Sequence, residues 1–112
     1  MAKPYRQKQK INKKIKAVVE QYLDAVSKEG MPIRSAYIFG SQIRSAGRGG
    51  SDIDVCIVSS ALQKNWWRES MKLRAIRRQV DLRIEPHGFS PEDFVPEHPL
   101  VWEIQQHGVR VR

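Results

Sequence analysis

Three aspartates are the residues of this sequence whose type and spacing are best suited to chemistry. Asp52 and Asp54 are two residues apart in an apolar segment. Because side chains alternate along a strand, both carboxylates are expected on one face, about 7 Å apart, where they can bind a hard cation between them. Asp81 lies between Val80 and Leu82 in another apolar segment. Burying an ionised group there costs free energy unless a positive charge lies beside it.

These three carboxylates together predict a metal site. Without a counter-charge, Asp52, Asp54 and Asp81 would repel one another, and each would raise the pKa of its neighbours. Mg²⁺ removes this conflict because it accepts oxygen ligands at about 2.0 Å. We therefore expect all three aspartates to be metal ligands and catalytic residues.

A phosphate site is predicted next to the carboxylates. Gly40 ends an apolar segment and lets an anion approach the backbone, while a helix that begins there would point free N–H groups at the anion. The glycine-rich loop 47–50 links this point to Asp52, and guanidinium groups beside it could hold phosphates. The predicted nucleotide-binding residues are Gly40, Ser41, Arg44, Arg48 and Ser51.

The elements that must position these residues are predicted from apolar periodicity and from turn residues. The predicted elements are a helix from Ile11 to Gly30, strands at 36–39, 53–58 and 80–84, a helix at 62–79, short helices after Gly40 and at Ser90–Asp93, a helix from Pro99 to His107, and an edge strand at 109–111. This order predicts an α/β (α+β) fold in which a small mixed sheet packs against helices.

Composition limits the classes of protein to be considered. A chain of 112 residues is expected to form one domain, and no apolar run is long enough to cross a membrane. The net charge is +8, but residues 1–16 hold seven basic and no acidic groups, so the rest is nearly neutral. We expect a flexible basic arm at 1–9, a catalytic domain at 10–112 and, with the lone Cys56, a cytoplasmic location.

The segment from Phe39 to Val55 resembles the signature of the polymerase-beta nucleotidyltransferase superfamily, which is Gly-Ser followed by Asp-any-Asp, with a third Asp on a later strand. The small size is similar to the minimal branch, the MNT proteins often encoded beside HEPN partners. The turn from Pro86 to Pro91 and the helix that ends near Gly108 also resemble that branch. Ser45 stands where the branch usually has glycine.

The resemblance implies a polymerase-beta-like fold and a function. A protein of this branch would use two Mg²⁺ ions to transfer AMP from ATP to a hydroxyl, here a tyrosine of a HEPN toxin that it neutralises. Gly40 and Ser41 match the phosphate-holding pair, Asp52 and Asp54 match the paired metal ligands, and Asp81 matches the third carboxylate.

Two other functions remain open at this stage. The chain could be a non-catalytic antitoxin or nucleotide-binding module that masks its partner, or a nucleic-acid-binding domain that uses residues 1–16. The three histidines lack the spacing of metal ligands, and surface or capping roles are expected for His87, His98 and His107. Trp66 and Trp67 are expected to be half core and half surface.

Overall fold

A computed structural model describes residues 11–44 and 52–112 of the chain. Its helices and strands, in chain order, are α1 Lys13–Lys28, β1 Ser35–Phe39, α2 Ser41–Arg44, β2 Ile53–Val58, α3 Ala61–Lys64, α4 Trp66–Ile76, a 3₁₀ turn Arg77–Gln79, β3 Ile84–Phe89, α5 Pro99–His107 and β4 Val109–Arg110. The predicted mixed α/β class is confirmed.

The four strands form one mixed sheet in the order β3-β2-β1-β4. β1 is antiparallel to both of its neighbours, and β3 is parallel to β2. In the antiparallel pairing Phe39 is opposite Asp54, so the end of β1 lies beside the start of β2. The parallel pairing places Ile84, the first residue of β3, opposite Ile53. One edge of the sheet therefore gathers the predicted phosphate site and the Asp-any-Asp pair.

Apolar side chains cover both faces of the sheet. The helix α1 begins at Asn12, whose side chain accepts hydrogen bonds from Lys14 and Ile15 N–H groups, and it packs its apolar stripe on one face together with α4. The opposite face is covered by α5 through Val101 and Ile104. Asp54, the acidic residue of β2, is therefore held by a strand that is packed on both faces. No helix in the described ranges is long and apolar enough to span a membrane.

The third strand differs from the prediction of residues 80–84. Both Val80 and Asp81 donate backbone hydrogen bonds to the Arg77 carbonyl, so they belong to the turn that follows the 3₁₀ segment. The strand begins only at Ile84 and continues through Pro86. Proline is tolerated there because β3 is an edge strand, whose outer side needs no N–H for the ladder.

Two helical predictions also need correction. The helix predicted at 62–79 is divided at Asn65, whose extended backbone ends α3 and whose side chain accepts from Arg68 N–H to begin α4. The helix predicted at Ser90–Asp93 is only a turn, although Ser90 Oγ accepts from Asp93 N–H as predicted for a cap. Pro96 disfavours helical backbone at the residue before it, which stops the turn from extending.

The other predicted elements are confirmed, among them the short helix after Gly40 and the terminal pair α5 and β4. Cys56 lies in the core, and burial raises the pKa of its thiol to about 12, so it remains protonated. The basic arm at 1–9 lies outside the described residues and stays a prediction.

Candidate active site

Gly40 and Asp54 lie against each other at the edge of the sheet. Gly40 follows β1 with a φ of +83°, a conformation that residues with a Cβ rarely adopt. The Asp54 carboxylate occupies the space that a Cβ on Gly40 would fill. The glycine is therefore required twice, once for its backbone angle and once for the carboxylate against it.

Replacing Gly40 by alanine should therefore displace Asp54 and strain the backbone. We expect Gly40→Ala to lower the melting temperature by several degrees, since a residue forced to positive φ costs about 1–2 kcal/mol. The matched control is Gly30→Ala, because Gly30 also has a positive φ, of +94°, but a Cβ there meets no atom within 4 Å. Thermal unfolding should show a larger loss of stability in Gly40→Ala than in Gly30→Ala. The difference measures the free-energy cost of the collision between the added Cβ and the Asp54 carboxylate. Equal losses would contradict this account of Gly40.

His87 is a member of the site that sequence reasoning missed. Its Nε2 lies 3.1 Å from Asp54 Oδ1, within hydrogen-bond distance. The edge of the imidazole meets the Phe39 ring at a centroid distance of 5.0 Å, which fixes the ring against β1. The prediction of a surface or capping role is thus wrong for His87, whereas His98 does cap α5 by accepting from Leu100 N–H. The strand period of two could have indicated this, because it puts His87 and Glu85 on the same face of a strand.

Glu85 is a second residue that the sequence prediction missed. It is paired in register with Asp54 on the neighbouring parallel strand, and such pairs present their side chains on the same face of a sheet. The carboxylate of Glu85 receives hydrogen bonds from Arg74 and Arg77, at 3.2 and 3.1 Å. The strand next to β2 therefore does supply an acidic side chain beside Asp54, but at position 85.

Asp81 lies in the turn before β3, three residues ahead of its first residue. Its carboxylate accepts from Arg83 N–H, Nε and Nη2, at 2.9, 3.1 and 2.9 Å. These hydrogen bonds from Arg83 lower the pKa of Asp81. The positive charge that the sequence argument required for Asp81 is thus supplied by an arginine of the same turn.

The remaining predicted residues lie around the entry to β2. Asp52 is exposed, and its carbonyl accepts from the Gln42 side chain at 3.2 Å. Gln42 is only 1% exposed and belongs to α2, so it ties that helix to the start of β2. Ser41 is the first residue of α2 and Arg44 is the last. Arg48 and Ser51, as well as Ser45, lie outside the described residues.

Comparison with known proteins identifies the family. The sequence model described as Polymerase beta, Nucleotidyltransferase matches residues 13–94. The chain belongs to this nucleotidyltransferase family. A candidate nucleotidyltransferase from Sulfolobus solfataricus has a similar solved structure, with a TM-score of 0.62 and 18% identity over 87% of this chain and 78% of that chain. No curated protein matches the sequence.

The donor set of this nucleotidyltransferase suits a hard divalent cation. Asp52, Asp54 and Glu85 offer carboxylate oxygens, the ligands that Mg²⁺ prefers, at the edge of the sheet where Asp54 lies against Gly40. Within residues 11–44 and 52–112, no three acidic, histidine or cysteine side chains are close enough to hold a metal together. The residue types fit Mg²⁺, and the described geometry brings together the pair Asp54 and His87.

Proposed function

We propose that this protein is an Mg²⁺-dependent nucleotidyltransferase that transfers AMP from ATP to a hydroxyl. The observation that supports this best is the contact of Asp54 with Gly40. It brings a carboxylate of the Asp-any-Asp pair beside the glycine that precedes α2. In this proposal the metal ligands and the phosphate site would meet at one edge of the sheet, as transfer of a nucleotidyl group requires.

In this proposal Asp52 and Asp54 hold the metal, and the third carboxylate is Glu85 in place of Asp81. Glu85 is the register neighbour of Asp54 on β3, whereas Asp81 precedes the strand and has no register partner on β2. When bound, two Mg²⁺ ions would neutralise the triphosphate and lower the pKa of the acceptor hydroxyl.

The other residues of the site bind and orient the reactants. Gly40 and Ser41, at the start of α2, would hold phosphate oxygens, together with Arg44, Arg48 and Ser51. His87 holds Asp54 through Oδ1 when Nε2 carries a proton, which leaves Oδ2 on the side of Gly40. The hydroxyl of the acceptor attacks the α-phosphorus, and pyrophosphate leaves.

We further propose that the acceptor is a protein tyrosine, that of a HEPN-type toxin, and that the protein acts as an antitoxin in the cytoplasm. The resemblance to the minimal branch supports this acceptor.

The test is to incubate the protein with Mg²⁺, ATP labelled at the α-phosphate, and either the product of the adjacent gene or an RNA pool. We expect label on the protein acceptor and none without Mg²⁺. Label on RNA alone would overturn the protein acceptor and favour a nucleic-acid role for residues 1–16. ATP binding without any transfer would favour the masking module, and absence of ATP binding would overturn the proposed function.

A further inference from the structure

A groove of about 890 Å³ runs along the outer edge of β3, between α4 and the segment that leads into α5. Its wall on α4 includes Trp66, Trp67 and Met71, and its opposite wall includes Val95 and Leu100. These side chains are unusually open to solvent for their type, since Trp67 is 69% exposed, Met71 50% and Trp66 49%. Clustered exposed apolar side chains of this size mark binding surfaces. Trp66 and Trp67 were expected to be half core and half surface, and the groove itself was not predicted from the sequence.

One end of the groove reaches the candidate active site. His87 lines the groove and also contacts Asp54. A molecule bound beside His87 would therefore be separated from the proposed metal ligand Asp54 only by the His87 side chain. Two hydrogen bonds fix the direction of α4 along β3, because Trp66 Nε1 donates to the Gly88 carbonyl and Arg74 donates to Glu85. The tryptophans thus lie at the end away from Glu85.

The backbone edge along the groove is poorly suited to an added strand. Pro86 has no N–H, the Ile84 carbonyl accepts from Arg77, and the Gly88 carbonyl accepts from Trp66. An extended peptide that paired with β3 would have to displace these donors. An occupant is therefore expected to bind through its side chains.

The charge of the groove argues against a polynucleotide. Among the residues that the structure describes, its lining has one arginine and one aspartate, Arg74 and Asp93, and Arg74 is already paired with Glu85. A phosphate backbone needs unpaired basic side chains along its path, even where aromatic residues stack with bases. The balanced charge and the exposed tryptophans instead complement an uncharged, apolar surface.

We propose that this groove binds the acceptor, and that the acceptor is a protein segment whose apolar side chains flank the reacting hydroxyl. The apolar side chains lie against Trp67 and Met71, and the hydroxyl reaches the end of the groove at His87. This inference rests on the proposed function, and it adds the chemistry by which the acceptor is recognised.

The test uses three probes and two variants. The probes are a short blocked peptide with tyrosine between leucines, the same peptide with aspartates in place of the leucines, and a ten-residue uridine RNA. The variants are Trp67→Glu in the groove and Trp102→Glu as the control, since Trp102 is 49% exposed on α5 and does not line the groove. Peptide binding is followed by calorimetry, transfer by labelled ATP with Mg²⁺, and ATP binding separately.

We expect the leucine peptide to bind and to accept label, with a Kd and KM that rise about tenfold or more in Trp67→Glu, the equivalent of one buried apolar side chain. ATP affinity should remain unchanged, and Trp102→Glu should behave as the wild type. Labelling of the leucine peptide with the same KM in Trp67→Glu would overturn the groove and leave the transferase intact. Binding that depends on Trp67 without any labelling would support the groove while the proposed function fails. No binding of the leucine peptide, or preference for the aspartate peptide or the RNA, would overturn the groove proposal.

Discussion

Replacing Asp54 by asparagine is expected to reduce nucleotidyl transfer by on the order of 10³ while the fold is retained. Asparagine has the same shape, and its oxygen can still accept from His87 Nε2 where Asp54 Oδ1 does now. What is lost is the negative charge that would hold the cation against Gly40. We also expect ATP binding by the wild type to depend on Mg²⁺, and that dependence to disappear in Asp54→Asn.

Stability measurements separate this effect from unfolding. Without metal, Asp54→Asn should be at least as stable as the wild type, because one of the like charges of Asp52 and Asp54 has been removed while the hydrogen bond to His87 can be kept. The control is Glu29→Gln, which also removes one exposed charge. Glu29 caps the C-terminal end of α1, at the opposite end of β1 from Gly40. Equal ATP affinity with and without Mg²⁺ in the wild type, measured by calorimetry, would contradict the metal role of Asp54.

The sequence predicted those parts of the site that depend on contiguous residues. The strand β2, with Asp54 inside it and Asp52 directly before it, was predicted with the observed bounds because an apolar run between glycines and serines has few alternatives. The same holds for Gly40, since a glycine between an apolar strand and a short helix implies a turn that needs its backbone freedom. The local sequence pattern was sufficient to predict the site residues wherever they lie in one strand or turn.

The third strand shows where local pattern is insufficient. Residues 80–84 alternate as a strand does, yet the Arg77 carbonyl holds Val80 and Asp81 in a turn. The predicted strand stops before Pro86, because proline disrupts central strands. That β3 is an edge strand follows only from the sheet order, which depends on contacts between distant residues. The positions of Glu85 and His87 beside Asp54 depend on this register, so they were not predicted.

Glu85 and Asp81 are therefore competing candidates for the third carboxylate, and paired substitutions should distinguish them. We expect Glu85→Gln to reduce transfer by about 100-fold and to weaken Mn²⁺ binding, because it removes the charge in register with Asp54. Asp81→Asn should leave both within about threefold of the wild type, since Asp81 precedes β3 and has no register partner on β2. The control Glu69→Gln removes an acid that pairs with Lys72 and Arg68 on α4, and so shows the effect of losing an ion pair alone.

The two substitutions should also differ in their dependence on pH. Because the folded-state pKa of Asp81 is lowered by Arg83, its ionised form stabilises the fold at neutral pH, and that contribution is lost as the pH falls through the lowered pKa. Asp81→Asn should therefore cost less than about 1 kcal/mol near pH 7, as expected for a pair at the surface, and the difference from wild type should shrink below about pH 4. Denaturant unfolding at the two pH values measures this. A large loss of transfer and of Mn²⁺ affinity in Asp81→Asn, with Glu85→Gln near wild type, would return the third metal position to Asp81 and show that the turn before β3 rearranges when metal binds.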